Sequence, residues 1–133
     1  MRVMKWIRFI AFFAAAATKD WDNRVRRSVT IPRDRFQNMN DEIKKWMAAN
    51  GFRVESDHGP ARWFKSIWMM KFVIEFTFLA IPDGYEIRSE FYLKGTFYEY
   101  KVKRYAYFQG LAAMSGWKVM ERFTGFLESA ARQ

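Results

Sequence analysis

Two apolar runs flank a turn sequence in residues 72–93, FVIEFTFLAIPDGYEIRSEFYL, and together they predict a β-hairpin. A two-residue turn at Asp83-Gly84, a dipeptide that favours such turns, would place Phe76 opposite Phe91. In that register one face of the hairpin is almost purely apolar, and a slip of one residue would mix the two faces. The hairpin therefore predicts part of an antiparallel sheet with one buried face.

The segment before the hairpin predicts a strand followed by a helix. Residues 24–31 alternate polar and apolar side chains, as a half-buried strand does, and only Arg27 interrupts the apolar face. Pro32 ends this strand. Apolar residues then recur at helical spacing and predict a helix over about residues 33–50, with Gly51 as its left-handed cap.

Further strands are predicted on both sides of the hairpin. Residues 52–55 predict a short strand, and residues 63–81 are too many for one regular strand, so a break is expected near residues 66–69. A second two-residue turn at residues 94–95 would lead into a strand over residues 97–107. Its core face would hold Tyr98, Tyr100 and Val102.

The end of the chain predicts a long helix over about residues 108–131, with a wide apolar stripe that begins at Leu111. Gly110, Gly116 and Gly125 each cost roughly 1 kcal/mol relative to alanine inside a helix. These glycines therefore indicate either close packing or a kink.

These elements predict an α+β fold in a single domain, residues 19–133. An antiparallel sheet of about four to five strands would pack against the middle helix (about 33–50) and the C-terminal helix (about 108–131), with an extra N-terminal helix in residues 1–18. The order of elements over residues 24–132 resembles the helix-grip and TATA-box-binding-protein-like arrangements, although no motif accompanies the resemblance. Such arrangements serve lipid carriers, nucleic-acid binders and interaction modules, so the resemblance implies no particular function.

Composition excludes several classes of function. The chain has 133 residues, is half hydrophobic and 20% aromatic, and therefore has enough apolar surface to fold without disulfides. It has no cysteine and one histidine, which excludes thiol catalysis, cysteine-ligated metals and two-histidine metal motifs. No catalytic motif is present, so we expect neither an enzyme nor a cofactor or metal.

Two patterns in the sequence bear on catalysis. His58 lies in turn-forming sequence, where an exposed loop histidine is the commoner interpretation. Glu75, Glu86 and Glu90 share the outer face of the predicted hairpin with Arg88 and could do acid–base chemistry. The favoured interpretation is a solvated face with weak cross-strand ion pairs.

The formal net charge of +9 is concentrated in two segments. Residues 1–36 carry nine basic and three acidic side chains, and residues 94–105 carry four basic side chains and one acidic one. The rest of the chain is balanced. A local basic field attracts phosphates, whether on nucleic acid or on anionic lipid.

The first basic segment begins with MRVMKWIRFIAFFAAAAT, residues 1–18. This sequence has three interpretations: an amphipathic membrane anchor, a secretory signal peptide over residues 1–17, or a helix packed on its own domain or on a partner subunit as in a homo-oligomer. The residues predicted to bind an anionic surface are Arg2, Lys5, Arg8, Arg24, Arg26 and Arg27, and those predicted for apolar insertion or partner contact are Trp6, Phe9 and Phe13.

The second basic segment alternates basic and aromatic residues, which is typical of a surface that stacks bases and holds phosphates. The predicted nucleic-acid face consists of Phe97, Lys101, Lys103, Tyr105 and Tyr107.

The leading hypothesis is a non-catalytic binding protein that engages an anionic membrane surface or a membrane-associated partner, and that is cytoplasmic or peripheral to a membrane. The alternatives are single-strand nucleic-acid binding and carriage of an apolar ligand between the sheet and the C-terminal helix. A carrier would need a cavity lined by residues such as Phe72, Phe76, Phe91 and Phe123.

Overall fold

The computed structural model describes residues 24–56, 59–104 and 110–132. These residues form one antiparallel sheet of six strands and two helices, which confirms the predicted α+β architecture. The strands are β1 (Val25–Pro32), β2 (Arg53–Ser56), β3 (Ala61–Ile67), β4 (Met70–Ile81), β5 (Gly84–Lys94) and β6 (Glu99–Tyr100); the helices are α1 (Phe36–Ala49) and α2 (Gly110–Ala131). The predicted N-terminal helix, residues 1–18, lies outside the described residues.

The strands lie in the order β1-β5-β4-β3-β2, and β6 also pairs with β5. β4 already occupies one edge of β5 at Leu93 and Lys94, so β6 must use the edge that β1 occupies further along. β1 and β6 therefore lie end to end beside β5. Arg24, immediately before β1, stands at their junction.

β1 has the predicted alternation. Val25, Val29 and Ile31 are buried in the core, on the side of the sheet that faces the helices. Arg27 shares that face, and its guanidinium lies over the ring of Trp117 in α2, 5.9 Å from the ring centroid. The residue that interrupts the apolar pattern is therefore accommodated by an aromatic side chain of the neighbouring helix.

The middle helix is confirmed, with a short 3-10 turn at Arg33–Arg35 before α1. Met39, Ile43 and Met47 of α1 are completely buried. The helix ends at Ala49, and Gly51 just beyond it has a φ of +81°, in the left-handed region that favours glycine.

The long apolar segment breaks where expected, near residues 66–69. Ile67 pairs with Met70, so Trp68 and Met69 form the two-residue turn between β3 and β4. Their φ angles are +50° and +66°. Positive φ at both positions is the signature of a type I′ hairpin turn, which usually contains asparagine or glycine.

The predicted register of the β4–β5 hairpin is wrong by two residues. Ile81 pairs with Gly84, so Pro82 and Asp83 are the turn residues, and Phe76 lies opposite Ser89 instead of Phe91. A shift of two residues keeps every side chain on its predicted face. The assignment of side chains to the two faces is therefore confirmed, while the cross-strand partners change. Burial does not follow that assignment everywhere, because Glu75 and Tyr92 of the outer face are also buried.

Gly84 explains the shift. A Cβ atom at this position would lie 2.1 Å from the carbonyl oxygen of Ile31 in β1, which no real structure tolerates. Gly84 pairs with Pro32 as well as with Ile81, so the glycine permits a close approach of β1 rather than a turn. Glycine at position 84 is therefore explained by its contact with β1 and not by a turn at Asp83-Gly84.

The predicted strand over residues 97–107 is also wrong. β6 has only two residues, and Lys94 pairs with Glu99 across a four-residue connection, residues 95–98. The predicted register would have set Arg88 against Lys101, two like charges, whereas the observed register pairs opposite charges. Tyr100 and Val102 contact the core as predicted.

The core between the sheet and the helices is dense in aromatic rings. Phe91 lies 6.2 Å from Phe72 and 5.8 Å from Phe123, measured between ring centroids. A Cβ atom at Gly116 of α2 would lie 3.0 Å from the Phe72 ring, so this glycine allows close packing. Phe91 therefore packs against two of the other three phenylalanines named for a ligand cavity, which gives the carrier hypothesis no support.

Candidate functional site

The outer face of the sheet carries a cluster of charged side chains centred on Arg24. Glu75 of β4 and Glu90 of β5 lie directly opposite each other in the ladder. Nη1 of Arg24 donates hydrogen bonds to both carboxylates and lies 3.0 Å from Oε2 of Glu90. One guanidinium nitrogen therefore compensates two facing carboxylates.

The rest of the Arg24 guanidinium is equally occupied. Its Nε and Nη2 donate to the two carboxylate oxygens of Glu99 at 3.2 and 3.1 Å, a bidentate pair. Its Cζ lies 4.2 Å from the centroid of the Tyr92 ring. Arg24 thus links the start of β1 to β4, β5 and β6.

Two further arginines complete the cluster. Arg62 of β3 donates to Oε1 of Glu75 through Nε at 2.9 Å, and Arg26 of β1 donates to Oε1 of Glu90 at 3.0 Å. With Arg24 and Glu99, the cluster contains three arginines and three glutamates. Its formal charges therefore cancel.

The prediction of a solvated outer face is wrong at Glu75. The Glu75 side chain is only 8% exposed, because Arg24 and Arg62 lie against its carboxylate. Glu86 and Glu90, the other two predicted acids, remain partly exposed, and Glu86 pairs with Arg88 at 3.2 Å. Cross-strand ion pairs are present as predicted, but the central one is buried.

The ionisation of the cluster follows from these contacts. Burial would raise the pKa of Glu90, but hydrogen bonds from Arg24 and Arg26 outweigh burial and lower it. Burial would lower the pKa of Arg24, and its hydrogen bonds to Glu99 and Glu90 instead raise it. Burial, assisted by the charge of Glu75, raises the pKa of Tyr92 to about 12. At neutral pH these groups are therefore held in a single protonation state, which suits a structural cluster better than a proton-transfer site.

The structure does not bring Arg24, Arg26 and Arg27, three predicted contacts to an anionic surface, onto one face. Arg24 and Arg26 lie on the outer face and bind carboxylates. Arg27 lies on the helix side, 3.5 Å from Glu121. The remaining members of the predicted set, Arg2, Lys5, Arg8, Trp6, Phe9 and Phe13, lie outside the described residues.

The predicted nucleic-acid face is only partly described. Phe97, Lys101 and Lys103 are exposed, and none of them belongs to a strand. Tyr105 and Tyr107 lie outside the described residues, as does His58.

One end of the molecule exposes large apolar side chains that sequence analysis did not group. Trp68 is 64% exposed, Met69 is fully exposed, Leu111 is 50% exposed and Phe97 is 84% exposed. They come from the β3–β4 turn, the start of α2 and the β5–β6 connection. We call this region the apolar end. Leu111 begins the predicted apolar stripe of the C-terminal helix, yet half of its surface is exposed, so it does not belong to the core.

The apolar end surrounds a shallow concavity of about 400 Å³. Its described lining residues are Trp68, Met69, Met70, Gly95, Thr96, Tyr100, Leu111 and Ala112. The lining brings together three segments that are distant in the sequence. In the sequence, only the break predicted near residues 66–69 indicated this apolar surface, because the side chains of a turn lie in solvent.

Lysines lie next to the apolar end. Lys71 and Lys94 face each other across β4 and β5, on the outer face. Lys94 has a weak ion pair with Glu55 at 3.8 Å, and Nζ of Lys71 lies 4.8 Å from the Phe64 ring. Lys71 and Lys94 therefore form a basic border beside the Trp68-Met69 turn. Lys101 and Lys103 are also exposed, in the segment that follows β6.

Residues 24–56, 59–104 and 110–132 show neither a metal-ion site nor a helix that could cross a membrane. They contain no cluster of three or more acidic or histidine side chains that could hold a metal ion. None of their helices combines the length and the hydropathy that crossing a bilayer requires.

Comparison of the chain with models of known protein families, with curated proteins and with solved structures gives no match in any of the three.

Proposed function

We propose that this chain is a non-catalytic binding protein that associates peripherally with an anionic membrane surface. The observation that supports this proposal most is the apolar end with its basic border. Monomeric soluble proteins rarely expose a contiguous group of large apolar side chains unless it contacts a partner or a membrane.

The chemistry of the apolar end fits a lipid interface. Tryptophan is enriched at the level of lipid headgroups, and methionine and leucine are apolar enough to enter the acyl region. Each lysine near an anionic surface contributes about 1 kcal/mol of attraction. Lys71 and Lys94 would supply this attraction, since neither has a strong carboxylate partner among the described contacts.

Arg24 and Arg26 should attract an anionic membrane less than the sequence alone predicts. Arg24 and Arg26 already bind glutamates, and their charge is compensated within the cluster. The N-terminal segment, with Arg2, Lys5, Arg8, Trp6, Phe9 and Phe13, stays a predicted second contact. Two weak contacts together would bind a membrane far better than either alone.

The experiment is co-sedimentation with vesicles of phosphatidylcholine alone and of phosphatidylcholine with phosphatidylserine. We expect binding only to the anionic vesicles, with a loss on raising the salt concentration. Reversing two charges in Lys71→Glu/Lys94→Glu should weaken binding at least tenfold. The matched control is Lys44→Glu, an exposed position on α1 that does not line the concavity. Equal binding to neutral vesicles, or no binding at all, would reject the proposal.

A second candidate function, single-strand nucleic-acid binding, is favoured by the exposure of Phe97, Lys101 and Lys103, which lie in one stretch of the sequence, residues 97–103. An exposed aromatic ring beside lysines can stack a base and hold a phosphate. An oligonucleotide that binds tightly, with a steep salt dependence and a loss in Phe97→Ala, would support this candidate over the membrane. Binding to vesicles that excess oligonucleotide does not displace would support the membrane.

A further inference from the structure

The β3–β4 turn is built from residues that ordinarily avoid its backbone conformation. Trp68 and Met69 both have positive φ, which asparagine and glycine adopt far more readily than bulky side chains. Neither side chain is buried, so packing within the described fold does not explain the choice. Backbone strain that no packing within the fold explains is a reason to look for a function.

The position of the turn relative to the lysines sets a depth. Lys71 is two residues beyond Met69 along β4, and Lys94 is its partner across the ladder. A strand rises about 3.4 Å per residue, so these lysines lie roughly 7 Å behind the tip. Interfacial side chains enter a bilayer by about 5–10 Å. If the tip enters to this depth, the two ammonium groups lie at the level of the lipid phosphates.

We propose that the Trp68-Met69 turn is the element that inserts into the bilayer, with Lys71 and Lys94 on the headgroups of anionic lipids. This inference rests on the membrane association proposed above and names the inserting residues and their lipid class. Leu111, which is exposed and lines the same concavity as the turn, lies beside the insertion. The type I′ geometry presents both side chains outward before any contact with lipid, so no rearrangement of the turn is needed.

The test is one variant that should gain thermal stability and lose affinity for vesicles. Trp68→Asn/Met69→Gly supplies the residues that a type I′ turn prefers, so its melting temperature should rise by several degrees. Its affinity for vesicles containing phosphatidylserine should fall at least tenfold. The control is Leu79→Thr, which removes an exposed apolar side chain at the other end of β4 and should leave vesicle binding unchanged.

A second variant tests whether the loss of binding comes from the side chains of the turn and not from a change in its backbone. Met69→Glu changes a fully exposed side chain, and its carboxylate would be repelled by anionic lipid. It should keep the wild-type circular dichroism spectrum and lose vesicle binding at least tenfold. Loss in both variants, with a folded protein in each, supports insertion of the turn.

The remaining outcomes separate the two proposals. If the wild type binds anionic vesicles and both turn variants bind equally well, the inserting element lies elsewhere and only this inference is overturned. If the wild type binds no vesicle, the membrane proposal itself is overturned. If the wild type instead forms a dimer that the turn variants lose, the apolar end is a contact between copies of the chain, and the inference is overturned.

Discussion

Glu75 and Glu90 lie directly opposite each other on β4 and β5, and a single nitrogen of Arg24 holds both. Like charges in this position repel and would weaken the pairing of the two longest strands. Arg24 converts the repulsion into a bridge between β1, β4 and β5. A residue that precedes the first strand therefore links two central strands of the sheet.

Replacing Arg24 by alanine should destabilise the fold. It would leave Glu75 nearly buried with only Arg62 as a partner, and Glu90 with only the exposed Arg26. Breaking a fully buried pair costs about 3–5 kcal/mol. Because Arg24 retains some exposure, we expect a loss of roughly 2–3 kcal/mol, within the range for charged hydrogen bonds. Chemical denaturation of the wild type and Arg24→Ala measures this loss.

The matched control for Arg24 is Arg26→Ala. Arg26 binds the same Glu90, but its side chain is 66% exposed, so its removal should cost less than about 1 kcal/mol. Adding Glu75→Gln to Arg24→Ala should recover part of the lost stability, because it removes the repulsion between Glu75 and Glu90, which face each other without the Arg24 bridge. Equal losses in Arg24→Ala and Arg26→Ala would contradict a central role for Arg24.

Acid should weaken the wild type more than Arg24→Ala. Hydrogen bonds from Arg24 and Arg26 lower the folded-state pKa of Glu90 despite its burial. The stability that this carboxylate contributes is present above its unfolded pKa of about 4.3 and is lost as the pH falls through the lower folded value. The difference in melting temperature between the two proteins should therefore be largest near pH 7 and shrink below about pH 4. Thermal melts from pH 7 to pH 2.5 measure it, and a difference that does not change with pH would refute this origin.

Two glycines of α2 should respond in opposite directions to the same substitution. A Cβ atom at Gly125 meets nothing within 4 Å, so Gly125→Ala should stabilise the protein by up to about 1 kcal/mol through helix propensity. At Gly116 a Cβ atom would lie 3.0 Å from the ring of Phe72, which is fully buried. Gly116→Ala should therefore destabilise by roughly 1–3 kcal/mol. Denaturation midpoints of the two variants decide this, and a gain in both would mean that the helix does not pack on Phe72.

Patterns with a single cause were predictable from the sequence. The helical spacing that ends at Gly51 and the alternation around Val29 each gave the correct element, because burial on one face is the dominant demand there. The two faces of the β4–β5 hairpin were also predictable, since the alternation survives a shift of two residues.

Features that depend on contacts between residues distant in the sequence were not predictable. Gly84 signals a turn, but it is required by the close approach of Ile31, a contact distant in sequence. Glu75 looks like a solvated side chain until Arg24 and Arg62 are brought over it. The apolar end escaped prediction because Leu111 fits the helical stripe of α2, and only the fold places it beside the Trp68-Met69 turn.

Quenching of Trp68 fluorescence by brominated lipid tests membrane insertion most directly. The spectrum of Trp68 is the difference between the wild type and Trp68→Phe, which keeps an apolar ring at the turn. With both proteins bound to phosphatidylserine vesicles, we predict that bromine near the top of the acyl chains quenches this difference strongly, and that bromine near the bilayer centre does not. An unquenched difference spectrum from vesicle-bound protein would show that Trp68 stays in water and would contradict insertion of the turn.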